Sequence, residues 1–354
     1  MKYHIALTNS TAERLAKESL DRESFPKTDL ALLVQKLDAS LLIQKSYPPK
    51  FIDKVRSIVA GDSATWSFAR TLRSQFSSND LIFCPGEEIG IPLAATLGTS
   101  SNRPKIAVWF HRIDGLKGRM ALKLFQVAQR VDLFLVSSRA NKSFLRQYLD
   151  IPEAKIQFLW HPLDCEYFQP KFQPKDAFEN QTRPSIVSVG LEQRDYRLLA
   201  AATARLDVDV KVAGYSQFHS RMAAFPSVMP ENMSNKQYQL PELLQLYHHA
   251  DVVVISLKQT IAAAGVTALL EAMACKKPIV CVRTHGLDEY LSDEAAVMTV
   301  EPGDIRGMQT AIQYLLDNPG QAQSRAERAY QLVRQRHHVE QQVQVMTELI
   351  RGAT

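Results

Sequence analysis

Lys105-Ile106-Ala107-Val108-Trp109-Phe110 is a run of strand length that is apolar after its first residue. Similar runs lie on either side of it, at 80–84, 133–136 and 156–159, with longer helical patterns between them. Strands that are apolar on both faces are typical of parallel sheets covered by helices on each side. The first half of the chain is therefore predicted to be an α/β domain with a doubly wound parallel sheet.

The same alternation returns in the second half of the chain, after a polar stretch without usable periodicity. The apolar runs there are 185–189, 208–213, 252–256 and 278–282. This repetition predicts two Rossmann-like α/β domains in tandem that face a cleft, with ligands bound at the carboxyl ends of the strands.

The predicted boundaries follow from these patterns. We expect an N-terminal domain over 1–168, a linker over 169–184, a C-terminal domain over 185–320 and a helical segment over 321–354. The last segment has an alternative placement, in which it crosses back to the N-terminal domain.

Length and composition fit this organisation. The chain has 354 residues, which is too many for one ordinary hydrophobic core. Its 45% hydrophobic and 22% charged residues are typical of a globular protein, neither disordered nor fibrous. The first residues turn polar before a signal-peptide core can form, so we expect a cytoplasmic protein. The four cysteines are scattered without metal-ligand spacing, which predicts reduced thiols and no metal site.

The basic charge is concentrated in one segment. Seven of the basic residues and a single acidic residue lie between Arg103 and Arg130, and the rest of the chain is close to neutral. Within it, residues 116–131 are expected to form one amphipathic helix with a cationic flank. Such a helix can make peripheral contact with the inner face of an anionic membrane, or it can bury its apolar stripe on the sheet with its charges in water. No nucleic-acid module accompanies the charge, so a nucleic-acid partner is not expected.

The segment 263–274 carries the clearest chemical pattern. A loop of small residues containing Gly265 opens into a helix whose first amide groups, near Val266 and Thr267, are expected to bind phosphate. Glu271 lies one turn further along the same face, where it can accept hydrogen bonds from two ribose hydroxyls. The alternative is an Ala-rich packing helix with a capping threonine and no ligand.

The stretch Thr267-Ala-Leu-Leu-Glu-Ala-Met-Ala-Cys-Lys-Lys-Pro278 resembles the signature of the retaining GT-B glycosyltransferases of family 4. The resemblance implies transfer of a sugar, a hexose or a deoxyhexose, from a nucleoside diphosphate to an acceptor hydroxyl. The donor is then a co-substrate, without a further cofactor or a metal. It implies donor contacts from Gly190, Arg194 and the loop at 265–267, with ribose bound by Glu271. The acceptor could be a small metabolite, a glycolipid or a polysaccharide precursor.

In the N-terminal half, the strand that ends at His111 is similar to the family strand whose histidine lies near the reacting sugar. The resemblance therefore gives His111 and Arg194 catalytic roles, whereas the sequence alone allows His111 to be an ordinary partly buried histidine. Acceptor-side candidates at the ends of strands are Asn9, Glu87, Glu88 and Arg112. The two adjacent glutamates could equally be solvated side chains of a loop.

The chain also departs from the family pattern. The family has a pair of glutamates eight residues apart, and the first of them corresponds here to Ala263. This loss leaves an alternative function, a non-catalytic or lipid-docking GT-B relative that lacks full donor-site chemistry.

Overall fold

The computed structural model describes residues 1–20, 25–98, 102–170, 182–214 and 223–353. The chain forms two compact units. Unit 1 comprises Met1–Pro162 together with Val339–Thr354, and unit 2 comprises Leu163–His338. Most of the predicted linker at 169–184 lies outside the described residues.

Unit 1 is built on a six-stranded parallel sheet in the order β2-β1-β3-β4-β5-β6. Its strands are β1 (Lys2–Leu7), β2 (Ser40–Ile43), β3 (Asp80–Cys84), β4 (Lys105–Phe110), β5 (Leu133–Val136) and β6 (Ile156–Phe158). The chain passes from β1 to β2 on one side and then returns to build β3 to β6 on the other. The order therefore reverses between β1 and β3, and ligands of such sheets bind at the carboxyl ends beside this switch point.

Helices cover both faces of this sheet. They are α1 (Asn9–Leu20), α2 (Asp29–Leu37), α3 (Phe51–Ser57), α4 (Ser63–Thr71), α5 (Glu87–Leu97), α6 (Leu116–Leu124), α7 (Val127–Arg130), α8 (Arg139–Leu149) and, from the end of the chain, α15 (Val339–Gly352). One core layer includes Trp66, Phe110 and Phe134. The layer on the other face includes Leu33 and Trp109, together with apolar side chains of α15.

Unit 2 repeats the plan with a six-stranded parallel sheet in the order β12-β11-β10-β7-β8-β9. Its strands are β7 (Ser185–Val189), β8 (Asp209–Ala213), β9 (Met233–Asn235), β10 (Val252–Ile255), β11 (Ile279–Val282) and β12 (Met298–Val300). Its helices are α9 (Cys165–Phe168), α10 (Tyr196–Thr203), α11 (Leu240–His248), α12 (Val266–Ala274), α13 (Ile305–Asp317) and α14 (Pro319–Arg336). Here the strand order reverses between β7 and β10. The predicted α/β class is confirmed in both units.

The division of the chain differs from the predicted boundaries at 168 and 321. Residues 163–168 lie in unit 2, where the Leu163 amide donates to the His337 carbonyl at 2.7 Å and the Cys165 thiol lies 3.7 Å from the Val333 carbonyl. The predicted C-terminal segment is split, because α14 packs against α12 of unit 2, whereas buried side chains of α15 complete the core of unit 1.

The single helix predicted over 116–131 is wrong. It is interrupted at Gln126, whose φ of 49° is left-handed, and this residue separates α6 from α7. The predicted apolar stripe is divided too. Val127 and Val131 are buried, whereas Leu116 is 77% exposed and Met120 and Leu124 are also exposed. Burial of the whole stripe on the sheet is therefore excluded.

In the described part of the chain, no helix is long and apolar enough to cross a membrane. The same residues contain no group of three or more histidine, cysteine, aspartate or glutamate side chains that could hold a metal ion. All four cysteines are buried.

Candidate functional site

The switch point of unit 2 brings two glycines together. Gly190 follows β7 with a φ of +103°, and Gly265 precedes α12 with a φ of +87°. Both angles are left-handed, a conformation that glycine adopts without steric cost. Because β7 and β10 are neighbours in the sheet, the loops that leave them meet over its carboxyl edge.

The Arg194 guanidinium lies between these two glycines. A Cβ on Gly190 would come within 2.7 Å of Arg194 Nη2, and one on Gly265 within 3.0 Å of Arg194 Nη1. Arg194 is only 3% exposed. The absence of a side chain at both glycines is what leaves room for this cation.

Most of the Arg194 hydrogen bonds go to backbone carbonyls. Nε and Nη2 donate to the Val189 carbonyl at 2.9 and 2.7 Å, and Nη1 donates to the Glu192 carbonyl at 3.1 Å. Three of its five N–H groups are therefore engaged within the described protein. Arg194 therefore fixes the loop after β7 and holds its positive charge beside the two glycines.

The loop before α12 is held from a second direction. A Cβ on Gly286 would come within 1.7 Å of the Ala262 carbonyl oxygen, so the turn after β11 contacts this loop closely. The Gly286 amide donates to the Thr260 carbonyl at 3.0 Å. The Val266 amide donates to the Ala263 carbonyl at 3.2 Å. This amide therefore closes the turn that starts the helix, and phosphate binding at Val266 stays a prediction.

Glu271 lies on α12 in a buried pair with a tyrosine from α11. The Tyr247 hydroxyl donates to Glu271 Oε2 at 2.7 Å. Burial raises the pKa of Glu271 to about 7, and the Tyr247 hydrogen bond and the charge of Arg194 limit the rise. Burial also raises the pKa of Tyr247, and the Glu271 charge adds to that shift. Tyr247 is therefore the proton donor of the pair.

Sequence reasoning missed Tyr247 and Tyr196. The Tyr196 hydroxyl donates to the Gly190 carbonyl, and burial raises its pKa to about 12, so it stays a neutral donor. Neither tyrosine lies in a recognisable spacing with the residues it contacts, because these contacts join separate elements. The only sequence signal was the position of Tyr196 at the start of a helix, two residues after Arg194.

The predicted residues of unit 1 lie around its own switch point. Asn9 is exposed and starts α1 directly after β1, and Glu87 and Glu88 start α5 after β3. His111 and Arg112 follow β4, the next strand, and both are exposed. The fold thus brings the ends of three adjacent strands to one edge.

Glu87 is a structural link between two of these strand ends. Its carboxylate accepts hydrogen bonds from the backbone amides of His111 and Arg112, both at 3.0 Å. Glu88 is exposed, but its carboxyl folds back over Gly86, where a Cβ would meet Glu88 Oε2 at 2.2 Å. Loss of surrounding water raises the pKa of Glu88, and the Glu87 charge raises it further. Of the two glutamates, only Glu88 keeps its carboxyl for a ligand.

His111 is fixed on three sides. Its Nε2 lies 2.8 Å from the Pro85 carbonyl, its amide binds Glu87, and its carbonyl accepts from Asn141 Nδ2 at 2.9 Å. A carbonyl can only accept, so the proton of the neutral ring lies on Nε2 and the lone pair on Nδ1. The ring packs against Trp109 with the centroids 5.1 Å apart. In that tautomer Nδ1 of His111 can accept a hydrogen bond.

The chain was compared with family profiles, with curated proteins and with solved structures. The profile of the family described as glycosyl transferase-like matches residues 193–348. The chain is thus similar to that family over 193–348, and it has the GT-B fold. A search among curated proteins found no match.

Solved structures resemble this GT-B chain over nearly its full length. A glycosyltransferase from Rickettsia africae has 15% identity and a TM-score of 0.67, with 99% of this chain and 98% of that one covered. HepE of Anabaena in complex with UDP-glucose has 13% identity and a TM-score of 0.72, with 99% and 100% covered. A trehalose 6-phosphate synthase from Burkholderia multivorans has 11% identity and a TM-score of 0.71, with 99% and 96% covered. At such identities the likeness carries the fold alone, which agrees with the prediction from the sequence.

Proposed function

We propose that this GT-B protein is a retaining glycosyltransferase that moves a sugar from a nucleoside diphosphate to an acceptor hydroxyl. The observation that carries the proposal is that Arg194 and Glu271 are both buried beside the start of α12, near enough for the Arg194 charge to lower the pKa of Glu271. Both residues lie within the segment matched by the glycosyl transferase-like family. A relative of the same fold, HepE of Anabaena, was solved with UDP-glucose.

The donor is proposed to bind unit 2 through its two polar parts. The ionised Glu271 carboxylate accepts hydrogen bonds from the ribose hydroxyls, and the Tyr247 hydroxyl donates a further hydrogen bond that orients the carboxylate. The diphosphate lies against the loops of Gly190 and Gly265, where the Arg194 charge and the positive end of the α12 dipole act on it. Thr267 lies in the first turn of the same helix.

The site chemistry fits a dissociating diphosphate. As the bond between the anomeric carbon and the diphosphate oxygen breaks, the electron pair leaves with the diphosphate and positive charge develops on the sugar. A fixed guanidinium and a helix dipole stabilise that growing negative charge, which is why we propose that the reaction needs no metal ion. Retention of configuration is the outcome that the family resemblance implies.

The acceptor side is proposed to lie at the strand ends of unit 1. His111 offers a hydrogen-bond acceptor at Nδ1 to a sugar hydroxyl, and Glu88 offers a carboxyl of raised pKa to the incoming acceptor. Asn9 and Arg112 are exposed at the same edge and are proposed to contact the acceptor. Glu87 is proposed to act only through the backbone it holds.

Ala263 favours a second candidate, a relative that binds a nucleotide without transferring sugar. Where the family pattern has a carboxylate, this chain has a methyl group, and its backbone carbonyl is occupied by the Val266 amide. Binding of the nucleotide is common to both candidates, whereas turnover belongs only to the first.

The test measures binding and turnover separately. Thermal unfolding of the purified chain should shift upward with one nucleoside diphosphate of a panel, and slow hydrolysis of the matching nucleotide sugar should follow. Glu271→Ala should abolish the shift, while Glu301→Ala, an exposed control, should not change it. Protection without hydrolysis would favour the non-catalytic relative, and no protection by any nucleotide would refute both.

A further inference from the structure

Two short helices of unit 1 turn apolar side chains to solvent. Phe51 on α3 is 82% exposed, and Leu116 on α6 is 77% exposed. The other exposed apolar side chains on or directly after these helices are Ile52, Val55, Ile58, Met120 and Leu124. Large apolar side chains grouped in this way mark a surface that contacts something other than water.

Residues of α3 and of the end of α6 both contact the Trp66 ring. The Arg56 guanidinium carbon of α3 lies 5.2 Å from the centroid of the Trp66 ring. The ring of Phe125, directly after α6, lies 4.7 Å from the same ring. Burial lowers the pKa of Arg130, and repulsion from the nearby charge of Arg56 lowers it further. The helices α3 and α6 therefore lie near each other beside Trp66, and their exposed side chains are here called the two-helix surface.

Its charge is almost entirely positive. The basic residues at the start of α3 and on both helices are Lys50, Lys54, Arg56, Lys117, Arg119 and Lys123. Two acids lie on or just before these helices. Asp53 is buried and bound to Arg70 at 2.9 Å, and Asp114, two residues before α6, is half-buried, so the positive charges remain in excess. No acid lies within α6.

The cations of α6 lie beside its apolar side chains. The Arg119 guanidinium lies 5.1 Å from the Phe144 ring centroid, and Lys123 Nζ lies 4.4 Å from that of Tyr148. Both residues are nevertheless exposed. These rings of α8 hold the cations at the flank of the helix, which leaves Met120 and Leu124 uncovered.

We propose that the two-helix surface docks the protein on an anionic lipid membrane. Its apolar side chains would enter the boundary between headgroups and acyl chains, and its lysines and arginines would contact lipid phosphates. A self-complementary dimer through this surface is disfavoured, because it would set the same six cations against each other. The inference does not rest on the proposed function, since it uses neither the donor site nor the acceptor residues.

The test is co-sedimentation of the full chain with vesicles. Vesicles of phosphatidylcholine mixed with an equal amount of phosphatidylglycerol should bind the protein, and vesicles of phosphatidylcholine alone should bind it far less. Replacing Lys54, Lys117 and Lys123 by Gln should weaken binding about fivefold for each lysine at low salt, on the order of 100-fold together. Replacing Leu116, Met120 and Leu124 by Ser should weaken it at least about 10-fold.

Matched substitutions elsewhere on the surface are the controls. The charge control replaces exposed Arg205, Lys236 and Arg306 by Gln, and the apolar control replaces exposed Val228, Ile305 and Val345 by Ser. Both controls should bind anionic vesicles as the parent chain does. Equal binding by all variants, equal binding to neutral vesicles, or no vesicle binding would each overturn the proposal. Self-association lost in the apolar variant, without vesicle binding, would assign the surface to a second copy.

Discussion

Titration of Glu271 should make the free energy of unfolding depend on pH. Its pKa rises from 4.5 to about 7 on folding, so the folded chain binds this proton more tightly than the unfolded chain. At low pH the carboxyl is protonated in both states and does not change the free energy of unfolding. As the pH rises from 4.5 through 7 the carboxyl lowers that free energy, by about 3 kcal/mol at pH 8.

Glu271→Gln should remove that cost. We expect the variant to be more stable than the parent by about 3 kcal/mol at pH 8, and the two to be close to equal at about pH 5. Urea unfolding at the two pH values measures the difference, with exposed Glu301→Gln as the control whose effect should not depend on pH. A Glu271→Gln effect of the same size at both pH values would contradict the buried titration.

Tyr247 should set the pH range of nucleotide binding. Its hydroxyl stabilises the ionised carboxylate of Glu271, so Tyr247→Phe should raise the pKa of Glu271 above about 7. Binding of a nucleoside diphosphate should then rise with pH along a curve displaced to higher pH, with affinity several-fold lower near neutral pH and recovery at higher pH. Titration calorimetry across pH measures this, and exposed Tyr314→Phe should leave the curve unchanged. A uniform loss at every pH would show a packing defect instead.

The residues of the proposed donor site could be named from the sequence, whereas their contacts could not. The small residues before α12 and the position of Glu271 one turn beyond Thr267 are local, so they can be derived from helix geometry. The Tyr247 partner and the carbonyls that Arg194 binds come from other elements. No spacing along the chain contains those contacts.

The loop before α12 depends on a glycine, and a matched pair of substitutions can separate two reasons for it. Gly265 and Gly303 have φ angles of +87° and +80°. A Cβ on Gly265 would have neighbours within 4 Å, the closest being Arg194 Nη1 at 3.0 Å, whereas a Cβ on Gly303 would point into open space. Gly303→Ala should cost about 1 kcal/mol through backbone strain alone.

Gly265→Ala should cost more, about 2 to 4 kcal/mol, because strain is joined by collision with Arg194 and Ile255. It should also weaken nucleotide binding, which Gly303→Ala should leave intact. Thermal unfolding with and without nucleoside diphosphate distinguishes the two variants. Equal costs for both would mean that crowding around Arg194 is unimportant.

At the scale of elements, the strands β3 to β8, β10 and β11 could be predicted because each reads as an apolar run. The strands β1, β2, β9 and β12 were not predicted, and β2 is largely exposed, so it has no such run to mark it. The segment 116–131 could not be predicted either, since helical periodicity identifies side chains that share a face without saying what covers that face. The helix breaks at Gln126 although no glycine or proline near this residue would predict a break. Because of this break, Leu116, Met120 and Leu124 of α6 are exposed, whereas Val127 after the break is buried.

At the scale of the whole molecule, the alternation of strands and helices predicts two similar units, but it does not fix which unit each helix joins. The final segment, 321–354, reads as one helical pattern. In the structure it is two helices that belong to different units, because only α15 has a row of apolar side chains that fits the core around Leu33 and Trp109.

That assignment of α15 predicts a selective loss of stability. Val343 is fully buried in the core of unit 1, whereas Val345 on the same helix is 38% exposed. Val343→Ala should destabilise unit 1 by about 2 kcal/mol through lost burial and the cavity left behind, and Val345→Ala should have little effect. Hydrogen exchange read by mass spectrometry measures this unit by unit. Faster exchange should appear in the strands β1 to β5 while β7 to β12 keep their protection, and equal acceleration in both sheets would mean that the two units unfold together.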